Sequence, residues 1–271
     1  MKIDENRSVI GGIEMSDEVY PVISGADNLF YRGNEIGVIL CHGFNGTPQS
    51  MQYIGEQLAK YGYTISIPRL YGHGTHYLEL EKSSYHDWID SLQSAYEDLA
   101  KICEKVYIVG QSMGGALTIQ IAAANPEIAG IFLINAAITD VCYRQYQHQD
   151  EPRFIEEGKP DIKKPSVYEI TYDKVPIAAV HQLLNVMEDS QEKLPQVTTS
   201  TVIFKSVVDH VVPPENSQYI FEHVNSKDKK MIELQNSYHV ASMDYDAMEI
   251  VDNVYQHIQQ DMRKKIRNPV Q

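Results

Sequence analysis

The sequence has little positive charge and no long hydrophobic run. Its 23 Lys and Arg residues are outnumbered by 37 Asp and Glu residues, which gives a net charge of −14. A chain with this charge is repelled by phosphate backbones, so we expect no nucleic-acid partner. No apolar stretch approaches the roughly 18 residues that a membrane-spanning helix needs. The first twenty residues are polar and acidic and lack the apolar centre of a secretory signal, so we expect no such signal there.

Cysteine is also scarce. The chain contains only Cys41, Cys103 and Cys142, which cannot all pair with one another and form no CxxC motif. This usage is typical of reduced thiols and predicts a cytoplasmic protein rather than a disulfide-stabilised one. Hydrophobic residues nevertheless make up 43% of the 271 residues, which excludes a disordered chain.

Short apolar runs alternate with longer amphipathic stretches. Near-continuous apolar runs are typical of parallel strands that are covered on both faces. The stretch Tyr85–Cys103 has apolar residues every three or four positions, which predicts a helix with one buried stripe. The other predicted helices are Met113–Asn125, Val175–Met187 and Asp246–Ile266, and the predicted strands are Gly37–Cys41, Tyr63–Pro68, Lys105–Val109, Ile131–Asn135, Thr201–Lys205 and Lys230–Leu234. This alternation predicts an α/β fold with a mostly parallel central sheet and helices on both faces.

The alternation is interrupted between about residues 140 and 193, which we call the cap segment. It has no clear strand, and its run Asp150–Pro165 is polar and contains three prolines. We interpret it as an insertion between two sheet strands of a single domain that spans residues 1–271. A long insertion in a compact domain is usually functional, often as a lid, and the alternative is a surface excursion without a role.

The strongest local motif is Gly110–Gly114 (GQSMG), which fits G-x-S-x-G. It stands between a predicted strand and a predicted helix, which is the context of a nucleophile elbow. The turn must be sharp, so small neighbours are needed, and the helix N-terminus directs N–H groups at a developing negative charge. The pentapeptide alone can occur by chance, but with these flanks it makes Ser112 the candidate nucleophile.

A serine nucleophile needs a base that is oriented by an acid. Asp209 and His239 each follow a predicted strand, and the order Ser, Asp, His is the order found in α/β-hydrolases. His210 is the rival base, but it adjoins the candidate acid. Asp244 is the rival acid, but it follows the histidine and so breaks the order.

An oxyanion hole needs two N–H donors, one of them from the residue after the nucleophile and one from an early loop. Met113 supplies the first, and Phe44, in the loop after the first predicted strand, is our choice for the second. We expect His42 to hold that loop by hydrogen bonds rather than to act as a base or a metal ligand. His73 and His76 have no third ligand at a recognisable spacing, so we predict no metal site.

Six motifs follow one another between roughly Gly37 and Ile258. They are HGFNGTPQSM, IPRLYGHGT, GQSMGGALT, INAA, DHVVPPENS and NSYHVASMD. In this order they resemble the bacterial monoacylglycerol lipases and related carboxylesterases of the α/β-hydrolase superfamily. The resemblance implies serine hydrolysis of a monoacylglycerol, a lipid ester, to glycerol and a fatty acid. The mechanism requires no metal or organic cofactor.

The resemblance also implies roles for particular residues. The catalytic residues would be Ser112, Asp209 and His239, and the oxyanion donors would be Phe44 and Met113. The stretch Val167–Tyr172 (VYEITY) resembles the family segment whose glutamate meets the glycerol hydroxyls, which implies that role for Glu169; the alternative is a solvated surface acid. The cap would cover an apolar acyl tunnel and could touch a membrane or micelle. Because Val141–Lys164 departs from the family pattern, acyl preference stays open, as does the oligomeric state.

Two other functions are compatible with these motifs. The first is a general carboxylesterase that acts on short- to medium-chain esters with the same triad. The second is a binding module on a hydrolase scaffold, because fold does not fix function. Such modules often lose a triad member, whereas here all three positions are filled. A dehalogenase would have Asp in place of Ser112, so we do not expect that activity.

Overall fold

A computed structural model describes residues 18–267, and its central feature is a seven-stranded sheet. The strands of the chain are β1 (Leu29–Tyr31), β2 (Ile36–Cys41), β3 (Thr64–Ile67), β4 (Lys105–Gln111), β5 (Gly130–Ile134), β6 (Phe154–Glu156), β7 (Lys174–Pro176), β8 (Thr201–Ser206) and β9 (Lys229–Leu234). The large sheet has the order β1-β3-β2-β4-β5-β8-β9. Every neighbouring pair is parallel except β1 and β3, so the predicted fold class is confirmed.

Helices cover both faces of this sheet. They are α1 (Pro48–Lys60), α2 (Tyr77–Lys82), α3 (Tyr85–Ala100), α4 (Met113–Ala124), α5 (Ile177–Lys193), α6 (Glu215–His223) and α7 (Ala247–Arg267). Successive side chains of a strand enter different cores: Ile108 packs with α3, α4 and α5, whereas Val109 packs with α1 and α7. Burial on both faces explains why the strands are continuously apolar in sequence.

The predicted strands agree closely with the observed ones. Strand β2 is one residue longer than the predicted Gly37–Cys41, and β4 is two residues longer than the predicted Lys105–Val109. Strand β1 was not predicted, because three residues are too few to show a pattern. It pairs antiparallel to β3 through the register Leu29↔Ile67, at the edge of the sheet.

The cap segment lies between β5 and β8, and one expectation about it is wrong. It contains two strands, β6 and β7, which pair antiparallel with Ile155 opposite Val175. Each has three residues and they are far apart in sequence, so neither had a recognisable pattern. Helix α5 then packs on α4, where Gln120 Nε2 donates to Ser190 Oγ over 3.1 Å. The division into one domain and a cap insertion stays a prediction.

Two expectations concern the N-terminus of the chain and the absence of a membrane-spanning helix. The expectation that the N-terminus is not a secretory signal falls largely on residues 1–17, which lie outside the described part of the chain. Between residues 18 and 267, none of the helices combines the length and the apolar character needed to cross a membrane.

Candidate active site

Ser112 lies on a sharp turn between β4 and α4. Its φ of 56° is in the left-handed region, which is strained for a residue with a side chain. A Cβ on Gly110 would lie 2.2 Å from the Gly114 carbonyl oxygen, and one on Gly114 would lie 2.4 Å from that of Cys41. The turn can therefore close only with glycine on both sides of the serine, which explains the G-x-S-x-G spacing.

The structure brings Ser112, His239 and Asp209 into one hydrogen-bonded row. Asp209 Oδ2 and His239 Nδ1 are 2.8 Å apart, and His239 Nε2 and Ser112 Oγ are 2.9 Å apart. If Nδ1 carries the proton that Asp209 accepts, Nε2 is free to accept the serine proton. Asp209 is held in turn, because its Oδ1 accepts from the backbone N–H groups of Val211 and Val212 at 2.9 and 2.8 Å.

The environment of His239 alters its basicity. Burial is the largest single influence and lowers the pKa of this imidazole, but the charge and hydrogen bond of Asp209 and the charges of Asp161 and Glu169 together outweigh it. The net result is a pKa of His239 above its ordinary value. A base with a raised pKa holds the serine proton more firmly in the transition state.

The two rival residues, His210 and Asp244, are not part of this hydrogen-bonded row. The side chain of His210 is 58% exposed, and its Nδ1 lies 2.8 Å from Asp161 Oδ1. Asp244 accepts from the backbone N–H groups of Lys163 and Tyr238 over 2.7 and 3.0 Å. Asp244 thus holds two loops together, and it is Asp209 that faces the His239 ring.

The predicted oxyanion donors flank the nucleophile. Met113 is the first residue of α4, and Phe44 lies in the loop after β2. In the described part of the chain, no protein group accepts a hydrogen bond from the backbone N–H of either residue. Gly43 lets this loop approach the nucleophile, because a Cβ there would lie 3.2 Å from Ser112 Cβ. Both donors are therefore available to an oxyanion.

His42 and His76, which lie outside the triad, form hydrogen bonds with the main chain. His42 Nδ1 lies 2.9 Å from the Gly43 carbonyl oxygen, and its Nε2 accepts from the Leu70 N–H over 3.2 Å. Burial lowers the pKa of His42 to about 4, so it is neutral. His76 caps α2 by accepting from the Leu78 N–H. No group of three or more possible metal ligands occurs among the residues that the structure describes.

A pocket of about 110 Å³ opens above Ser112 and His239. Glu169 lines it and is only 8% exposed, so it is not a solvated surface acid. Burial raises the pKa of Glu169 to about 7, an effect that the charge of His239 opposes and that of Glu157 strengthens. Within residues 18–267 no hydrogen-bond donor of the protein reaches its carboxylate, which leaves that group open to a ligand.

Sequence reasoning missed three polar residues around the site. Asn135 Nδ2 donates to the His239 carbonyl oxygen over 2.9 Å and so steadies the histidine loop. Glu157, in the pocket wall, accepts from Tyr143 Oη at 2.6 Å and from Asn45 Nδ2 at 3.1 Å. Asp161 contacts the main chain of His239. Asn135 could have been found as a polar residue at the carboxyl end of a strand, where sites form, whereas Glu157 and Asp161 lie in irregular chain without such a signal.

Comparison with known protein families places this arrangement in context. Residues 34–246 match the Hydrolase_4 family, described as serine aminopeptidase, S33. A thermostable monoacylglycerol lipase of Bacillus sp. strain H-257 is 42% identical over 237 residues, which cover 87% of this chain and 95% of that enzyme. A carboxylesterase of Bacillus subtilis strain 168 is 25% identical over 235 residues, covering 84% of this chain and 94% of the relative.

A solved structure described for the metagenome-derived lipolytic enzymes LipS and LipT has the same architecture. It superposes with a TM-score of 0.85 at 37% identity and covers 89% of this chain and 100% of its own. The overall fold of this chain therefore recurs in a lipolytic relative of nearly the same extent.

Proposed function

The chain belongs to the Hydrolase_4 family of α/β-hydrolases, and on that premise we propose that it hydrolyses monoacylglycerols to glycerol and a fatty acid. Ser112 would be the nucleophile, His239 the base and Asp209 the orienting acid. The observation that carries the proposal is the row of contacts of 2.9 and 2.8 Å that joins these side chains beneath a pocket.

The proposed reaction follows from the geometry. Ser112 Oγ attacks the ester carbonyl while His239 Nε2 takes its proton, and Asp209 stabilises the imidazolium that forms. The backbone N–H groups of Phe44 and Met113 bind the oxyanion of the tetrahedral intermediate, and the loss of one such donor typically costs about 10² to 10³ in rate. His239 then gives its proton to the departing glycerol oxygen, and water releases the fatty acid from Ser112 by the same steps.

Glu169 is the group that would recognise glycerol. A monoacylglycerol has two free hydroxyls, and a buried carboxylate accepts hydrogen bonds from hydroxyls strongly. Glu169 is buried in the same pocket as Ser112 and His239 and has no donor from the described protein chain. Its acceptor capacity is therefore free for the alcohol end of a substrate.

A carboxylesterase acting on short- to medium-chain esters is the second candidate. The pocket of about 110 Å³ favours it, because ordinary ligand pockets hold roughly 300 Å³ or more. A long acyl chain would therefore need the cap segment to move. The apolar part of the wall includes Val141, Leu183 and Val211, so an acyl group would lie against this side.

We also propose where the protein works and what it touches. Cys41, Cys103 and Cys142 are unpaired thiols, which supports a reducing, cytoplasmic location. Tyr168 is 74% exposed beside the buried Glu169, which supports transient contact of the cap with a membrane or micelle. The net charge of −14 argues against nucleic acid and against strongly anionic membranes.

A substrate panel tests the function. It comprises monoacylglycerols of several chain lengths, diacylglycerols, nitrophenyl esters and an aminoacyl nitroanilide, each with wild-type protein and with Ser112→Ala. We expect kcat/KM to be highest for a monoacylglycerol and turnover to vanish in the variant. A preference for short nitrophenyl esters over every monoacylglycerol would support the carboxylesterase instead, and turnover of the nitroanilide alone would refute both.

A further inference from the structure

Asp161 of the cap segment contacts both loops that carry the triad. Its Oδ2 accepts from the backbone N–H of His239 over 3.2 Å and from that of His210 over 3.0 Å. Its Oδ1 lies 2.8 Å from His210 Nδ1. His210 directly follows Asp209, so one carboxylate joins the acid loop to the base loop.

Main-chain contacts strengthen this attachment. The Val240 N–H donates to the Asp161 carbonyl oxygen over 3.1 Å. Three residues further along, the Lys164 N–H donates to Asp244 Oδ1 over 3.0 Å, and Asp244 also accepts from Tyr238. The cap segment is thus fixed to residues on both sides of His239.

We propose that Asp161 is a positioning residue, which sets the relative placement of His239 and Asp209 by accepting hydrogen bonds from the main chain of both loops. The proposal rests on the proposed function of the triad. Through this residue the cap would act on the base as well as cover the substrate.

The surface ion pair with His210 does not account for this arrangement. The His210 side chain is 58% exposed, and exposed pairs contribute little. The Asp161 side chain is only 14% exposed, and one of its oxygens is shared by two backbone N–H groups. Without that oxygen, the N–H groups of the histidine loop and the acid loop would have to find other acceptors or move apart.

The charge of Asp161 gives a second, independent readout. Three carboxylates act on His239 through their charge: Asp209 from the loop after β8, and Asp161 and Glu169 from the cap segment. All three raise the pKa of His239, and Asp161 itself faces His210. Because His239 must be neutral to accept the serine proton, loss of the Asp161 charge moves the acid limb of the pH–rate profile to lower pH.

Two substitutions separate position from charge. In Asp161→Asn, the amide oxygen can accept from both backbone N–H groups and the NH₂ can donate to a neutral His210. Asp161→Ala removes all of these contacts. Asp150→Asn is the matched control, because Asp150 is an exposed carboxylate of the same segment. The full-length proteins are compared on a nitrophenyl ester, by kcat, KM and pH profile, after thermal unfolding has verified folding.

We expect Asp161→Ala to lower kcat by about tenfold to a hundredfold with little change in KM, since small misplacements of catalytic groups cost this much. Asp161→Asn should restore most of kcat, and the acid limb of its pH–rate profile should lie at lower pH than that of the wild type. The proposal would be overturned if Asp161→Ala kept the kcat of the wild type, or if both variants lost kcat equally. It would also be overturned if the acid limb of the pH–rate profile did not shift in Asp161→Asn. If Asp161→Ala does not fold, the proposal is tested by the kcat of Asp161→Asn and by the position of the acid limb in its pH–rate profile. Absence of turnover in the wild type refutes the triad instead.

Discussion

Replacement of Glu169 should separate recognition of glycerol from ester chemistry. The carboxylate is 8% exposed and receives no hydrogen bond from the described residues of the protein, so Glu169→Ala removes an acceptor that a bound glycerol would use. Hydrogen bonds to charged groups contribute roughly 1.5–3 kcal/mol. Loss of one such bond corresponds to a fall of about tenfold to a hundredfold in kcat/KM for a monoacylglycerol. A nitrophenyl ester, which has no glycerol, should be hydrolysed almost as before.

The assay compares kcat/KM for both substrates on the alkaline plateau, where His239 is neutral. Glu156→Ala is the control, because Glu156 is an exposed acid of the same cap segment. Equal losses on the two substrates would refute the glycerol role, since a disturbed cap damages both reactions alike. That outcome would leave the triad assignment untouched.

The raised pKa of Glu169 adds a signature in pH. Its carboxyl is protonated below a pKa of about 7, so its charge is lost as the pH falls through that value. Hydrolysis of a monoacylglycerol should therefore decline more steeply on the acid side than hydrolysis of a nitrophenyl ester. In Glu169→Gln the two profiles should coincide, and a persistent difference would show that another group titrates.

Three further predictions concern the nucleophile, the base and the turn. Ser112→Ala should lower kcat by about 10⁶ with an unchanged melting temperature, and retention of more than about a thousandth of the activity would exclude the triad. The pH–rate profile on a nitrophenyl ester should have its acid limb above pH 6.5, because the pKa of His239 is raised from that ordinary value, and a flat profile would contradict a histidine base. Gly114→Ala should destabilise the protein by about 1–3 kcal/mol or more, because its Cβ would lie 2.4 Å from the Cys41 carbonyl oxygen. Gly158→Ala is its control in thermal unfolding, since a Cβ there meets nothing within 4 Å.

Much of the fold could be predicted because its strands are long and buried on both faces. Strand β4, for example, is buried from Val106 to Gln111, and its continuous apolar run predicts a parallel strand without ambiguity. Strands β1, β6 and β7 have three residues each and are held by pairing with distant partners. Their positions depend on tertiary contacts that local sequence does not encode.

The candidate site likewise contains some residues that the sequence identifies and others that it does not. Ser112 is identifiable because its turn demands glycines at fixed spacing, and Asp209 and His239 follow strands in a recognisable order. Asp161 and Glu157 lie in irregular chain of the cap segment, where neither hydrophobic periodicity nor a turn motif predicts which way a side chain points. Tertiary contacts place Asp161 against the main chain of His239 and Glu157 in the wall of the pocket.

The most direct test of the central claim is mass-mapped labelling with a fluorophosphonate, which reacts with activated serines. We expect one adduct per chain, located on Ser112, to be slowed by a competing monoacylglycerol and to be lost in His239→Ala. An adduct on another residue, or equally fast labelling in the His239 variant, would contradict activation of Ser112 by this histidine.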